Sequence, residues 1–230
     1  MQLKAIIFGG IGTLVETSEL QREAFNRAFE EAGVDWHWDR DEYQTLLSVT
    51  GGRDRIRHFD RHTGFLDERT ILSIHARKTE LFQQILNNTK LALRAGVGDL
   101  INKALNTDTM LAIASTTAKS NIDVLAAASD LNLKQFDAVV HRDLVTRTKP
   151  DPEAFQHCLS ILGITAHEAV AIEDSDSGVR SAVAAGLMCF ALPGANTTGQ
   201  NYEQASLVTQ SLSDIDVIDA ARSRLQATAV

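Results

Sequence analysis

The chain has 230 residues, 44% of them hydrophobic and 23% charged, which is enough apolar material for one large domain or a domain with an insertion. A net charge of −8, with 22 basic residues scattered along the chain, argues against a nucleic-acid or anionic-membrane surface. The N-terminal apolar run is only strand-sized and no run approaches the roughly 18 residues of a membrane span, so the expectation is a cytoplasmic protein with neither nucleic-acid nor membrane partners.

The first predicted element is Ala5–Phe8, four apolar residues bounded by Gly9 and Gly10, which read as a parallel strand buried on both faces. Residues 17–87 then read as helical throughout. The stretch "TSELQREAFNRAFEEAG" places Leu20, Ala24, Phe25, Ala28 and Phe29 on one face, with a Thr-Ser start and Gly33 as its stop. Helical patterns follow at "DRDEYQTLLSV", "GRDRIRHFDRH" and "DERTILSIHARKTELFQQILNN".

From residue 88 strands and helices alternate. "MLAIAS" (110–115) precedes the helix "KSNIDVLAAASDL"; "FDAVVH" (136–141) precedes a "TKPDPEAF" turn and a helix through Leu162; "AVAIED" (169–174) precedes "SDSGVRSAVAAG"; and "MCFAL" (188–192) is the last predicted strand. Such spacing predicts an α/β fold with a doubly wound parallel sheet, to which residues 5–8 must belong. The reading is a core domain of residues 1–15 and 88–230, interrupted by an all-helical cap domain of residues 16–87. An insertion after the first strand lies over the carboxyl ends of the strands, where ligands bind, and suits a lid better than a decorative loop.

Those strand ends deliver a recognisable set of groups. Gly9 to Thr13 follow the first strand, Ser115 and Thr116 the second, Lys149 lies in the loop "TRTKPDP", and Glu173-Asp174 end "AVAIED". Hydroxyls and an ammonium suit phosphoryl oxygens, while adjacent carboxylates suit Mg²⁺. Taken singly, Ser115 reads more readily as a helix cap, Lys149 as a surface cation and Glu173-Asp174 as a solvated acid pair. Their convergence on one sheet edge points to a phosphate-and-metal pocket. Gly9 and Gly10 contribute main-chain N–H groups suited to cradling an anion, with Thr13 as a polar supplement.

At this point the chain resembles a known family over nearly its whole length. "IIFGGIGTLVETSELQREAFNRAF", "LAIASTT", "KPDPEAF" and "IEDSDSGVRSAVAAG" are similar to the successive motifs of the haloacid dehalogenase superfamily, with a Rossmann-like core, and within it to the β-phosphoglucomutase-like and CbbY-like sugar-phosphate phosphatases with a helical cap. The resemblance implies phosphate binding by Ser115, Thr116, Lys149 and Gly10, a Mg²⁺ site at Glu173 and Asp174, and a substrate-phosphate loop in "TGGRDRI" with Arg53 as its basic residue. It also implies that an aspartate nucleophile belongs at Gly9, an aspartate acid/base at Ile11, and often a histidine at Gln21.

The departures carry as much information as the match. Glycine has no carboxylate to attack phosphorus, and isoleucine carries no proton. Losing the carboxylate at Gly9 also predicts a weakened Mg²⁺ site. Glu16, the nearest other acid, is expected to point toward the lid rather than at Lys149. Three readings follow: a pseudoenzyme that binds a phosphorylated sugar or similar small metabolite with little or no turnover, a working Mg²⁺-dependent sugar-phosphate phosphatase, or a partner-binding protein with a vestigial pocket. Arg53, Gln21 and Glu16 are the cap-side substrate candidates. His37, between Trp36 and Trp38, reads as part of the cap packing. Cys158 and Cys189 read as reduced, buried thiols.

Overall fold

A computed structural model describes residues 2–61, 64 and 66–227. Strand β1 (Ala5–Phe8) leads into a short helix, α1 (Ile11–Leu14), and then into four longer helices: α2 (Ser18–Glu31), α3 (Arg40–Leu46), α4 (Gly52–Asp60) and α5 (Glu68–Asn87). His62, the last residue of the helical pattern predicted around α4, lies outside the described residues. After α6 (Val97–Asn106) the chain alternates: β2 (Met110–Ala114), α7 (Lys119–Ala128), β3 (Ala138–Val140), α8 (Glu153–Leu162), β4 (Ala169–Glu173), α9 (Asp176–Ala184) and β5 (Met188–Ala191). A two-residue strand, β6 (Leu207–Val208), and α10 (Val217–Ala227) complete it. Sequence reading found β1 to β5 and most helices but passed over α1, α6, β6 and α10.

The sheet order is β3-β2-β1-β4-β5-β6, with all neighbours parallel. Chain order reverses at β1: β2 and β3 lie to one side, β4 to β6 to the other. In such sheets the crevice at the carboxyl ends beside the reversal is where ligands bind. Gly9 and Glu173, at the ends of the adjacent strands β1 and β4, flank that crevice. β1 is wholly buried, as its uninterrupted apolar run requires. Ile6 and Phe8 face one apolar cluster, Ala5 and Ile7 the other.

The first cluster runs continuously from the sheet into α2–α5, so cap and core share packing. Within the helical block Trp38 is fully buried, with Phe25 and Phe29 each 4.8 Å away between ring centroids and Phe59 at 5.5 Å. Edge and tilted aromatic pairs add about 0.5–1.5 kcal/mol each beyond the area they bury. Both tryptophans of "WHW" therefore serve packing, as expected. Cys158 and Cys189 are buried and free. No helix among the described residues is long and apolar enough to cross a membrane.

Candidate active site

The floor of the crevice is built around Lys149. Its side chain is buried, and its Nζ donates to the carbonyls of Gly9 and Ala114 (the latter at 2.8 Å) and to Glu173 Oε1. An ammonium has three N–H groups, and all three are taken. The Phe155 ring, 4.9 Å from Nζ, backs the group. Lys149 is thus no surface cation, but neither does it hold an open donor toward the crevice as phosphate binding requires.

Glu173 is 1% exposed, so it is not half of a solvated acid pair. Its carboxylate lies in the space between two glycines: with Glu173 in this position, a Cβ built at Gly9 or at Gly178 would fall inside the carboxyl group. The space an aspartate at position 9 would need is filled by Glu173. Burial pushes the Glu173 carboxyl up to about 7 despite the opposing Lys149 ammonium. Oε2 accepts from the Asp174 N–H at 3.2 Å. Asp174 Oδ1 accepts from Thr13 Oγ1 at 3.1 Å, and burial raises this carboxyl as well, against the pull of Arg94 and Lys149.

Arg94 was not foreseen from sequence. Its guanidinium donates to the carbonyls of Gly12, Leu192 and Pro193 at 3.1, 2.7 and 2.6 Å, tying α1 to the end of β5 beneath Asp174. Ser115 is buried, and its Oγ accepts from the Thr117 N–H at 3.1 Å; the N-cap of α7 is Ala118, so Ser115 is not that helix's cap. Thr116 lines the crevice beside it, as does Gly10. Gly9 departs from the anion-cradle expectation. Its N–H donates to Ile172 O at 2.8 Å in the sheet ladder and its carbonyl accepts from Lys149, so Gly10, with φ at +139°, is the first residue turned out of the ladder. Ile11 is buried at the start of α1.

Opposite the floor stands the cap wall, across a cleft of about 1170 Å³. Arg53, second residue of α4, is exposed and makes no hydrogen bond or ion pair to a described residue. Gly51 caps that helix at φ +91°, a conformation glycine adopts without strain. Lys78, also unforeseen, projects from α5. It is buried and donates to Gln21 Oε1 at 2.7 Å, with the Phe25 and Phe82 rings 4.7 and 4.9 Å from Nζ. Burial, reinforced by Arg55, pulls its ammonium down to about 7. Burial likewise lowers His75, on the same helix, to about 4, so its imidazole is neutral at pH 7. Gln21 therefore faces the cleft while holding Lys78.

Glu16 departs from expectation in part. It points away from Lys149, but its carboxylate bridges rather than addresses the lid alone, accepting from Ser18 N at 3.0 Å and from Ala195 N at 2.8 Å on the core. Asn196 closes the same seam, donating to Ser18 Oγ at 3.1 Å and Glu19 Oε1 at 2.6 Å and accepting from Gln44 at 3.1 Å. Across the cleft Gln83 donates to Asn121 at 2.8 Å. The helical block is seated on the core from both sides.

These donors do not fit a Mg²⁺ ion held jointly by Glu173 and Asp174. A hard dication needs carboxylate oxygens directed at one point, whereas Glu173 is turned into the Gly9–Gly178 slot and bound to Lys149. No group of three or more His, Cys, Asp or Glu side chains placed to hold a metal occurs among the described residues.

With this geometry in view, three comparisons bear on identity. The sequence pattern of the haloacid dehalogenase-like hydrolases matches residues 6–192. The protein CbbY of Cereibacter sphaeroides is 39% identical, over 93% of this chain and 94% of its own. The crystal structure of CbbY from Rhodobacter sphaeroides in complex with phosphate superposes with a TM-score of 0.85 at 39% identity, covering 93% of this chain and 96% of that one. An aspartate-to-asparagine mutant of that protein in complex with xylulose-(1,5)bisphosphate gives 0.86 over the same shares. The chain belongs to the haloacid dehalogenase-like hydrolase family, on its CbbY-like branch.

Proposed function

We propose that this chain is a phosphatase-fold binding protein that holds a phosphorylated sugar in the cleft between core and cap and turns it over slowly or not at all. The observation that carries this reading is the end of β1. Gly9 brings no side chain to the place where the resemblance puts the nucleophile, and Ile11 brings no proton carrier to the acid/base position. General acid-base help alone is worth about 10²- to 10⁴-fold, and covalent catalysis without a nucleophile is impossible. The ligand class follows from the related CbbY structures, whose crystals contain phosphate and xylulose-(1,5)bisphosphate. In this reading magnesium binds weakly, since Glu173 is held by Lys149 and of the adjacent acid pair Asp174 alone remains to face it.

A phosphatase working by the aspartyl-phosphate route would need a carboxylate in line with phosphorus. Glu173 is the acid in that space, yet both its oxygens accept hydrogen bonds from Lys149 and the Asp174 N–H, and it has almost no access to the cleft. Calorimetric titration with xylulose-(1,5)bisphosphate, alongside phosphate release in Mg²⁺, separates the readings. Saturable binding with release at background is expected. Sustained multiple turnover would overturn the proposal.

A further inference from the structure

Among the described residues two lysines are buried, and they are held in opposite ways. Lys149 is matched by a carboxylate, Glu173, and has every N–H taken. Lys78 has no carboxylate partner among the described residues. One of its N–H groups goes to the neutral Gln21 amide, and the Phe25 and Phe82 rings flank the nitrogen. The charge acting on it is that of another buried cation, Arg55 on α4, whose own donors go to the Leu46 and Val49 carbonyls at 3.0 Å each. Apolar walls and a like charge both favour the free amine, which has a lone pair to give. Lys78 lines the cleft, and so does His75, one turn earlier on α5, whose neutral imidazole can carry a proton.

The ligand class proposed above brings a matching electrophile. A 2-ketopentose closes a five-membered ring through its O5. In xylulose-(1,5)bisphosphate that oxygen is esterified, so the C2 ketone stays in the open chain. A buried amine without a counter-carboxylate and an open-chain ketone in one cleft are the two halves of an imine.

We propose that Lys78 captures the ketone of a bound sugar phosphate as a reversible imine, making this cleft a covalent holding site for an open-chain keto-sugar phosphate. The inference rests on the ligand class proposed above and deepens it from the phosphate to the carbonyl. The nitrogen lone pair forms a C–N bond to the carbonyl carbon while the C=O π pair moves to oxygen, and His75 passes a nitrogen proton to that oxygen. The C–O bond then breaks as the second nitrogen proton is given up, so the amine's two hydrogens and the carbonyl oxygen leave as water. Water reverses the sequence, and the phosphate esters stay intact throughout.

The test incubates the full chain with xylulose-(1,5)bisphosphate and cyanoborohydride, which near neutral pH reduces an imine in preference to a free ketone. Peptide mass spectrometry maps the product, with calorimetry of the same sugar alongside. Expected is an adduct on Lys78, heavier by the sugar less one oxygen, formed about tenfold or more faster than at any other lysine, Lys149 included. Lys78→Met should abolish it, and the site mapped in the unaltered chain decides if that variant does not fold. Sugar that binds by calorimetry yet labels Lys78 no faster than exposed lysines overturns the inference and leaves the ligand class standing. Failure of the sugar to bind refutes the ligand class instead, and dihydroxyacetone, a ketone without phosphate, then decides. Preferential labelling of Lys78 by it supports the capture chemistry, while labelling spread over exposed lysines, or absent from Lys78, overturns it.

Discussion

The floor of the cleft and the wall that faces it are built from similar side chains and reach opposite states. On the floor a lysine and a glutamate are satisfied by each other and by backbone groups, Lys149 with all three N–H groups taken and Glu173 with both oxygens accepting. On the cap wall an arginine and a lysine keep donors in hand, one exposed, the other held by an amide and two aromatic rings. The contrast teaches that losing a side chain from a polar site need not leave a hole. Here a neighbouring buried acid, Glu173, fills the space beside Gly9 with a buried cation, Lys149, to receive it.

The largest expected effect breaks the floor. Lys149→Met strands a buried carboxylate and should cost about 3–5 kcal/mol of stability in chemical denaturation, whereas the double replacement Lys149→Met/Glu173→Leu should recover most of that loss. Equal losses in single and double variants would show that the pair is not what holds the floor.

The cap wall should behave the other way. Arg53→Ala should weaken phosphate binding by about tenfold, or 1.4 kcal/mol, with stability unchanged within about 0.5 kcal/mol. Titration sharpens the same contrast through Lys78, lowered from 10.5 to about 7. Between these values the unfolded chain carries a proton that the folded chain lacks, so stability rises with pH across that window and Lys78 adds no slope below it. Phosphate affinity should move oppositely, falling as pH climbs above 7 and the ammonium is lost. Lys78→Met should flatten both profiles, and unchanged profiles would mean that Lys78 does not titrate there.

The smallest effect concerns the seam. Asn196→Ala removes hydrogen bonds to Ser18, Glu19 and Gln44 and should cost about 1 kcal/mol. Faster amide exchange at the start of α2, with the sheet amides unchanged, is the signature to look for.

Much of this was legible in the residues. The uninterrupted apolar run of β1, the alternation after residue 88 and the helical block between them follow from periodicity, and the strand ends named Ser115, Thr116, Lys149, Glu173 and Asp174 because parallel strands deliver their carboxyl ends to one edge. Lys78 was within reach. It falls between Ile71, Ile74 and Leu81 on the buried face of α5, where a lysine is out of pattern. Arg94 lies in a connecting segment with no periodicity to betray it. The inward turn of Glu173 could not be read at all, because it depends on Gly9 and Gly178 opening room from two elements distant in sequence. For the same reason the sequence misjudged what Lys149 offers: its charge is visible in one letter, its three acceptors only in the fold.

The central claim is that this cleft binds without releasing phosphate because β1 delivers no nucleophile and no acid. The most direct measurement is phosphate release from xylulose-(1,5)bisphosphate in Mg²⁺ by this chain and by Gly9→Asp/Ile11→Asp, in which the new aspartate must push Glu173 out of its slot. The account predicts background release by this chain and a gain of about a thousandfold, roughly 4 kcal/mol of barrier, in the double variant. Release by this chain at a rate the double variant does not exceed would contradict it and place the attacking group elsewhere.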